Sequence, residues 1–112
     1  MTLIKAPIKE SILEDLAIKQ AQVYGMLCRK YVSPGHRGVP DRLFVDRQQI
    51  FFIEFKSTGA KLSPLQVLEI NRMRDHDALV FVVDNRSDLE AILLCTRKER
   101  AIAAQKELYT IY

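Results

Sequence analysis

The chain has 112 residues, of which 48% are hydrophobic and 28% charged, a balance typical of one soluble globular domain rather than a disordered chain. No apolar run approaches the ~18 residues of a membrane helix, there is no signal-peptide stretch, and Cys28 and Cys95 form no disulfide framework, so we expect a cytoplasmic protein without a membrane partner. The net charge is +3, and the surplus lies in residues 1–60, with 9 Lys/Arg against 6 Asp/Glu, which favours an anionic substrate.

The first predicted element is a helix over about residues 7–28. Pro7 suits a first helical position, and a stripe of apolar residues follows at helical spacing: Ile8, Ile12, Leu16, Val23 and Leu27. Glu10 falls on the opposite side with Ala17 and Ala21, two small residues that let another element approach closely. Two interpretations of Glu10 are open, a covered carboxylate or a solvated one favoured by the helix dipole, and the helix alone favours the second.

A hairpin is predicted next. Lys30–Val32 has the composition of a short strand, and the glycines and prolines after it predict a loop. Pro40 favours extended backbone just before Asp41. Leu43–Val45 and Ile50–Lys56 then predict two antiparallel strands joined by a four-residue turn.

The second strand of this hairpin carries an acid in an apolar setting. Alternation places Phe51, Ile53 and Phe55 on one face and Phe52, Glu54 and Lys56 on the other. The first set predicts the core. A glutamate in so apolar a strand is rarely ordinary surface, because buried acids need a partner or a metal. The alternative is an exposed Glu54–Lys56 ion pair on an open sheet face.

The second half predicts three helices and one strand. Ser63 to Gln66 matches a capping box and opens a helix to about residue 74, with four buried candidates: Leu65, Leu68, Ile70 and Met73. By this pattern alone Gln66 is a cap. Residues 78–83 predict a central strand covered on both faces. Two further capping boxes, at Ser87 and Thr96, predict helices to about residues 94 and 108, which completes an α/β fold with a mixed β-sheet flanked by helices.

The chemistry predicted from these residues is metal-assisted hydrolysis. Asp41 and Glu54 can meet where their strands are adjacent, and one or two carboxylates are enough to hold Mg²⁺ beside a phosphate. Lys56 lies on the same face as Glu54 and can neutralise charge that develops on phosphorus. His36 and His76 lack partners at metal-ligand spacing, and the chain contains no phosphate-binding glycine loop.

Three segments resemble the VRR-NUC domain, the virus-type replication and repair nuclease branch of the PD-(D/E)XK nucleases. They are Gly38-Val39-Pro40-Asp41-Arg42-Leu43, Ile53-Glu54-Phe55-Lys56 and Leu62-Ser63-Pro64-Leu65-Gln66. The similarity covers about residues 8–84 and implies one restriction-endonuclease-like domain over residues 1–112, with helices of about 87–108 outside the matched part. A departure lies at His76-Asp77, where the family commonly has a glycine.

The resemblance implies a Mg²⁺- or Mn²⁺-dependent DNA endonuclease. Asp41 and Glu54 would bind the metal with the carbonyl of Phe55, and Lys56 would be catalytic. Gln66 and Glu10 would join the site, against their local interpretations, and Glu14, one turn further along the helix, could take the place of Glu10.

The resemblance also implies partners. Small stand-alone copies resemble phage-encoded proteins that form homodimers and cut branched DNA such as Holliday junctions. Candidate contacts to DNA phosphates flank the motifs, and each is otherwise a solvated surface charge: Arg29, Lys30, Arg37, Arg42 and Lys61. The alternative function is a non-catalytic DNA-binding or nuclease-regulating subunit with the same fold.

Overall fold

A computed structural model describes residues 6–105. Helices and strands follow in the order α1 (Glu10–Val23), β1 (Leu27–Lys30), β2 (Arg42–Asp46), β3 (Gln49–Phe55), α2 (Pro64–Asp75), β4 (Leu79–Val83), α3 (Arg86–Leu94) and α4 (Arg97–Ala103). No helix within this part of the chain is long and apolar enough to cross a membrane.

The strands form one mixed sheet in the order β1-β2-β3-β4. The pairs β1–β2 and β2–β3 are antiparallel, whereas β3 and β4 are parallel. This follows from the connections, since a tight turn returns the chain beside itself and a parallel neighbour needs a crossover, which α2 provides. The predicted α/β fold with a mixed sheet and flanking helices is therefore confirmed.

The main hydrophobic core lies on one face of the sheet, under α1, α3 and α4. As predicted, Phe51, Ile53 and Phe55 point into it, and each is at most 1% exposed. The helix α1 meets this face through Leu13 and two alanines, Ala17 and Ala21, so the stripe of small residues is the buried one.

The predicted apolar stripe of α1 was wrong in part, since Ile8 and Leu16 do pack against the core. Ile12 is 47% exposed and Val23 is 80% exposed. Small side chains allow the helix axis to approach the sheet closely, and this close approach outweighs the area that larger residues would bury. The predicted bounds were also too wide, because Gly25, with a φ of 73°, follows the C-cap residue Tyr24 and turns the chain back into β1.

The strands β1 and β4 also correct the sequence prediction. The first strand is Leu27–Lys30 rather than Lys30–Val32. The β2–β3 turn has two residues instead of four, because Asp46 and Gln49 already pair. The last strand lies at an edge of the sheet and not at its centre. Its sequence is apolar because both faces of the strand are covered. The Arg74 guanidinium donates hydrogen bonds to the Val80 carbonyl.

The helix α2 packs on the opposite face of the sheet. Ser63 caps it as predicted, but Val67 and Ile70 are its buried residues, whereas Leu65 and Leu68 are 48% and 52% exposed. Its main contacts with the sheet are with β4. At the other side of this face, Leu27 and Ile50, which lie in one row, are 53% and 54% exposed.

The last two helices begin at well-formed caps. The N-cap of α3 is Asn85, whose side chain accepts a hydrogen bond from the Asp88 N–H, and not the predicted Ser87. Thr96 caps α4 as predicted. The predicted continuation of α4 to Leu108 lies outside the described residues.

Candidate active site

The β2–β3 hairpin places Asp41 and Glu54 side by side. Arg42 pairs with Ile53 in the ladder, so the residue before Arg42 stands opposite the residue after Ile53. Both acids therefore project from the same face of the sheet, opposite to the main core. The Oδ2 atom of Asp41 accepts a hydrogen bond of 2.7 Å from the Phe55 N–H, which fixes this carboxylate at the end of β3.

The loop before Asp41 is held against the first turn of α2. Gly38 has a φ of 86°, and a Cβ on it would lie 2.4 Å from the Leu65 carbonyl oxygen. A side chain cannot be accommodated there, so glycine is required both by the backbone angle and by the close approach. Pro40 is buried next to Asp41. The Gly-Val-Pro-Asp segment and the capped start of α2 thus contact each other directly.

Glu54 is a buried acid with one satisfied and one unsatisfied oxygen. The residue is 2% exposed. Its Oε2 atom accepts a hydrogen bond of 2.9 Å from Gln66 Nε2 and lies 3.6 Å from Lys56 Nζ. Its Oε1 atom is buried and has no hydrogen-bond donor among the described residues. The alternative of an exposed surface pair with Lys56 is excluded by this burial.

Burial and a second negative charge hold the proton on Glu54. The pKa of Glu54 is raised to about 8, first by loss of hydration and then by the charge of Asp41, while the Lys56 ammonium opposes both effects. Burial also raises the pKa of Asp41, partly offset by the Phe55 N–H, and the carboxylates of Glu14 and Glu10 add to the rise. The positive charge near Asp41 and Glu54 is therefore too small to keep both carboxyl groups ionised.

Gln66 has two roles at once. Its side-chain oxygen accepts the Ser63 N–H at 2.9 Å, which completes the capping box. Its amide nitrogen donates to Glu54. Gln66 is therefore a cap residue, as its local pattern predicts, and it also lies next to Glu54, as the resemblance implies.

The two glutamates of α1 lie at the border of the site. Glu10 is exposed, and its backbone N–H donates to Ser57 Oγ at 3.1 Å. Glu14, the proposed substitute, is held by Arg42, with 2.7 Å between Glu14 Oε2 and Arg42 Nε. Ser57, which sequence reasoning missed, ties the start of α1 to the end of β3, and nothing in the local sequence marks this contact.

The basic residues predicted to contact phosphate differ in whether they are available to a ligand. Arg29, Lys30, Arg37 and Lys61 are exposed, whereas Arg42 is occupied by Glu14. Because Arg29 pairs with Leu43 and Lys30 with Arg42, Arg29 projects from the face that carries the acid pair and Lys30 from the other.

The donor set fits a divalent cation. An orphaned buried oxygen and two acids with raised pKa values are the features that an added positive charge relieves, and two carboxylates are the usual protein share for Mg²⁺. Within residues 6–105, no three side chains of His, Cys, Asp or Glu converge to form a larger cluster. Asp41 and Glu54 therefore are the side chains that the structure brings together for this purpose.

Comparisons with known proteins identify the family of the chain. The sequence model of the VRR-NUC domain matches residues 5–87. The chain is 38% identical over 87 residues to p44, a candidate nuclease by name, of the Acyrthosiphon pisum secondary endosymbiont phage 1, and the match covers 77% of this chain and 92% of p44. A solved structure of a VRR-NUC domain superimposes with a TM-score of 0.70 at 31% identity, over 75% of this chain and 92% of the other.

Proposed function

Because this chain belongs to the VRR-NUC domain family and is a nuclease, we propose that it is a Mg²⁺- or Mn²⁺-dependent DNA endonuclease that cuts branched DNA. The observation that carries the proposal is the buried Glu54 carboxylate, which has one oxygen without a donor and stands opposite a second acid, Asp41, on the neighbouring strand. A purely structural acid would have been satisfied by the fold, since leaving such an oxygen unpaired costs stability.

Each side chain of the site has a role in this proposal. Asp41 and Glu54, with the Phe55 carbonyl, hold the cation, and Glu10 approaches from α1 as a further candidate. When bound, the cation supplies Lewis-acid polarisation of the phosphate and activation of water. Lys56 offsets the negative charge that develops on phosphorus during attack by water. Gln66 orients the Glu54 carboxylate through its amide hydrogen bond.

The assembly proposed for this activity is a homodimer. One small domain supplies one acid pair, whereas resolution of a four-way junction requires two symmetric cuts, and a two-fold dimer supplies two sites. The likeness to a phage protein supports action on DNA within an infected host cell. The exposed residues Arg29, Lys30, Arg37 and Lys61 are the candidate contacts to the DNA backbone, and Arg42 joins them once Glu14 releases it.

A cleavage assay tests the proposal. Labelled four-way junction, flap and linear duplex are incubated with the protein in Mg²⁺, in Mn²⁺ and in EDTA. We expect cutting of the branched substrates in the presence of metal only. The Asp41→Asn variant keeps the acceptor for the Phe55 N–H but loses the charge, and it should cut at least about a thousandfold more slowly.

A matched control is Glu90→Gln, which removes an exposed acid of α3 and should cut at the wild-type rate. Absence of cutting of every substrate with either metal would contradict the proposal. Equal rates on junction and linear duplex would leave a nuclease but remove its selectivity for branches. Light scattering of the protein with and without a junction tests the dimer separately.

A further inference from the structure

Tyr31 lies in the same row of the sheet as the two acids. Its N–H donates to the Asp41 carbonyl oxygen at 2.9 Å, which extends the β1–β2 ladder by one residue beyond the Lys30–Arg42 pair. Tyr31 therefore stands opposite Asp41, as Asp41 stands opposite Glu54. Because Lys30 and Arg42 project towards α1, the alternation of strands sends Tyr31 to the face that carries the acid pair.

The position of the Tyr31 ring is fixed, but its hydroxyl is free. The ring packs against Phe52, with 5.1 Å between the ring centroids and 58° between the planes. The side chain is half-buried, and within the described part of the chain its hydroxyl has no hydrogen-bond partner. A tyrosine held by its ring with an unpaired hydroxyl is suited to contact a polar ligand from outside the chain.

Tyr31 can be reached from outside the chain. The helix α2 packs on the β4 side of this face, whereas on the β1 side Tyr31 is half-buried and Arg29 is exposed. Arg29 projects from the same face, two residues before Tyr31 in the chain. A strand of DNA that reaches the acid pair from this side passes Tyr31 and comes near the positive charge of Arg29.

We propose that Tyr31 is a substrate-contact residue whose hydroxyl donates a hydrogen bond to a phosphate of the cleaved DNA strand, beside the scissile phosphate. The inference rests on the proposed function. Neighbouring strands lie ~4.8 Å apart, so Tyr31 is about two strand spacings, ~10 Å, from Glu54. This separation suits a phosphate one or two nucleotides from the one at the acid pair, and tyrosine hydroxyls commonly bind the DNA backbone.

The Tyr31→Phe variant separates this role from a packing role. Phenylalanine keeps the contact with Phe52 and removes only the hydroxyl, so the melting temperature should not change. Loss of one hydrogen bond should weaken junction binding and lower kcat/KM by roughly threefold to tenfold. The control is Tyr24→Phe, since Tyr24 is 39% exposed at the C-terminal end of α1, where β1 begins. It should behave as wild type.

A methylphosphonate scan identifies the phosphate. Junctions carry one uncharged methylphosphonate at a time, at each of the phosphates that flank the cut, and binding is measured in EDTA. At one position the replacement should weaken binding by the wild-type protein and cost the Tyr31→Phe variant nothing further. If Tyr31→Phe binds and cuts like wild type, or if both proteins lose affinity equally at every position, the inference is overturned.

The binding measurement and the cleavage measurement together distinguish this inference from the proposed function. If the wild-type protein binds junctions in EDTA and Tyr31→Phe binds more weakly at one phosphate, the contact stands even where no metal supports cutting. If the wild-type protein cuts DNA but the variant is indistinguishable from it, the proposed function stands and the contact falls. Failure of the wild-type protein to bind any DNA overturns both.

Discussion

Two buried charges, Arg100 and Glu54, lie at opposite ends of the β2–β3 hairpin and differ in how they are satisfied. Arg100 is 0% exposed, and all five of its N–H groups have acceptors, which are Asp46, Gln49 and the carbonyls of Ile92, Leu93 and Cys95. Its guanidinium also stacks 4.3 Å from the Phe51 ring centroid. Glu54 is almost as buried but keeps one oxygen without a donor.

This difference separates a structural charge from a functional one. The fold gives Arg100 a full set of partners, and in return Arg100 joins α4 to the turn of the hairpin. The fold gives one oxygen of Glu54 the partners Gln66 and Lys56, leaves the other without a donor, and adds the negative charge of Asp41 nearby. Burial alone therefore does not identify a site, whereas burial with an unsatisfied atom and a shifted pKa does.

The largest expected effects come from removing each charge in turn. Arg100→Met leaves Asp46 and four further acceptors without their donor, and should lower the free energy of unfolding by about 3–5 kcal/mol. Glu54→Gln keeps the shape of the side chain and removes a carboxyl group whose ionised form the fold does not satisfy. It should retain or gain stability at pH 8 while the cleavage rate falls by about a thousandfold.

Urea denaturation and single-turnover cleavage at low temperature measure the two effects. Arg97→Met is the control for the first, because Arg97 is exposed on the same helix as Arg100. Folded Arg100→Met protein should cut within a few fold of wild type. A folded Arg100 variant that cuts as poorly as Glu54→Gln would remove the distinction between the two charges.

The pH dependence of stability tests the same distinction. The pKa of Glu54 is about 8 in the folded chain and near its ordinary value of 4.5 in the unfolded chain. Between these values the folded protein holds a proton that the unfolded chain has released. The free energy of unfolding should therefore fall as pH rises across this range, by up to ~1.4 kcal/mol per pH unit and a few kcal/mol in total.

Added metal should reverse this loss. A cation that must displace the Glu54 proton binds about tenfold more tightly for each unit by which the pH rises towards about 8, so Mg²⁺ or Mn²⁺ should raise the melting temperature most at alkaline pH. The Glu54→Gln variant should show neither the pH slope nor the metal response. A wild-type protein whose stability rises with pH from about 5 to about 8 would show that Glu54 is ionised without metal.

Gln66 serves both the fold, as the cap partner of Ser63, and the candidate site, as a donor to Glu54. Two variants separate these roles. Ser63→Ala removes the cap without touching Glu54, and should cost about 1 kcal/mol of stability with little change in cleavage by the folded protein. Gln66→Ala removes the cap partner and the amide donor to Glu54 together. It should cost a similar stability and lower the rate by about tenfold to a hundredfold. Equal rates for the two variants would make Gln66 a cap only.

Local patterns predicted the part of the site that lies on the hairpin. Alternation in β3 placed Glu54 away from the core, and the proline before Asp41 set the start of β2, so the two acids could be paired from sequence. The capping box of Ser63 was visible for the same reason, since its hydrogen bonds join residues three apart. These features depend on residues that are close in sequence, so they can be predicted without knowledge of the fold.

Contacts between residues far apart in sequence could not be predicted. Arg100 lies 54 residues from Asp46, and its position in an ordinary charged helix gives no sign of burial. The contact of Ser57 with the start of α1 spans 47 residues. The edge position of β4 depends on which strand pairs with β3, and its apolar sequence reflects cover by helices on both faces. Side chains of this kind acquire their role only when the sheet brings remote segments together.

Asp77 carries the smallest expected effect and lies apart from both buried charges. It follows the C-cap of α2 with a φ of 65°, and two hydrogen bonds close the helix end, from Asp77 N–H to the Arg74 carbonyl and from Ala78 N–H to the Met73 carbonyl. This is the position where helices favour glycine, and where the family commonly has one.

Glycine adopts a positive φ without strain, whereas a side chain there costs about 1 kcal/mol, part of which is returned by the lower entropy of the unfolded chain. Asp77→Gly should therefore raise the free energy of unfolding by about 0.5–1 kcal/mol, and Asp77→Ala, which lacks a polar group able to support this conformation, should lower it. Urea denaturation measures both, and cleavage should stay at the wild-type rate. A stabilised Asp77→Gly protein with reduced cleavage would show that the site depends on strain at the end of α2, and that stability and activity are coupled outside the two buried charges.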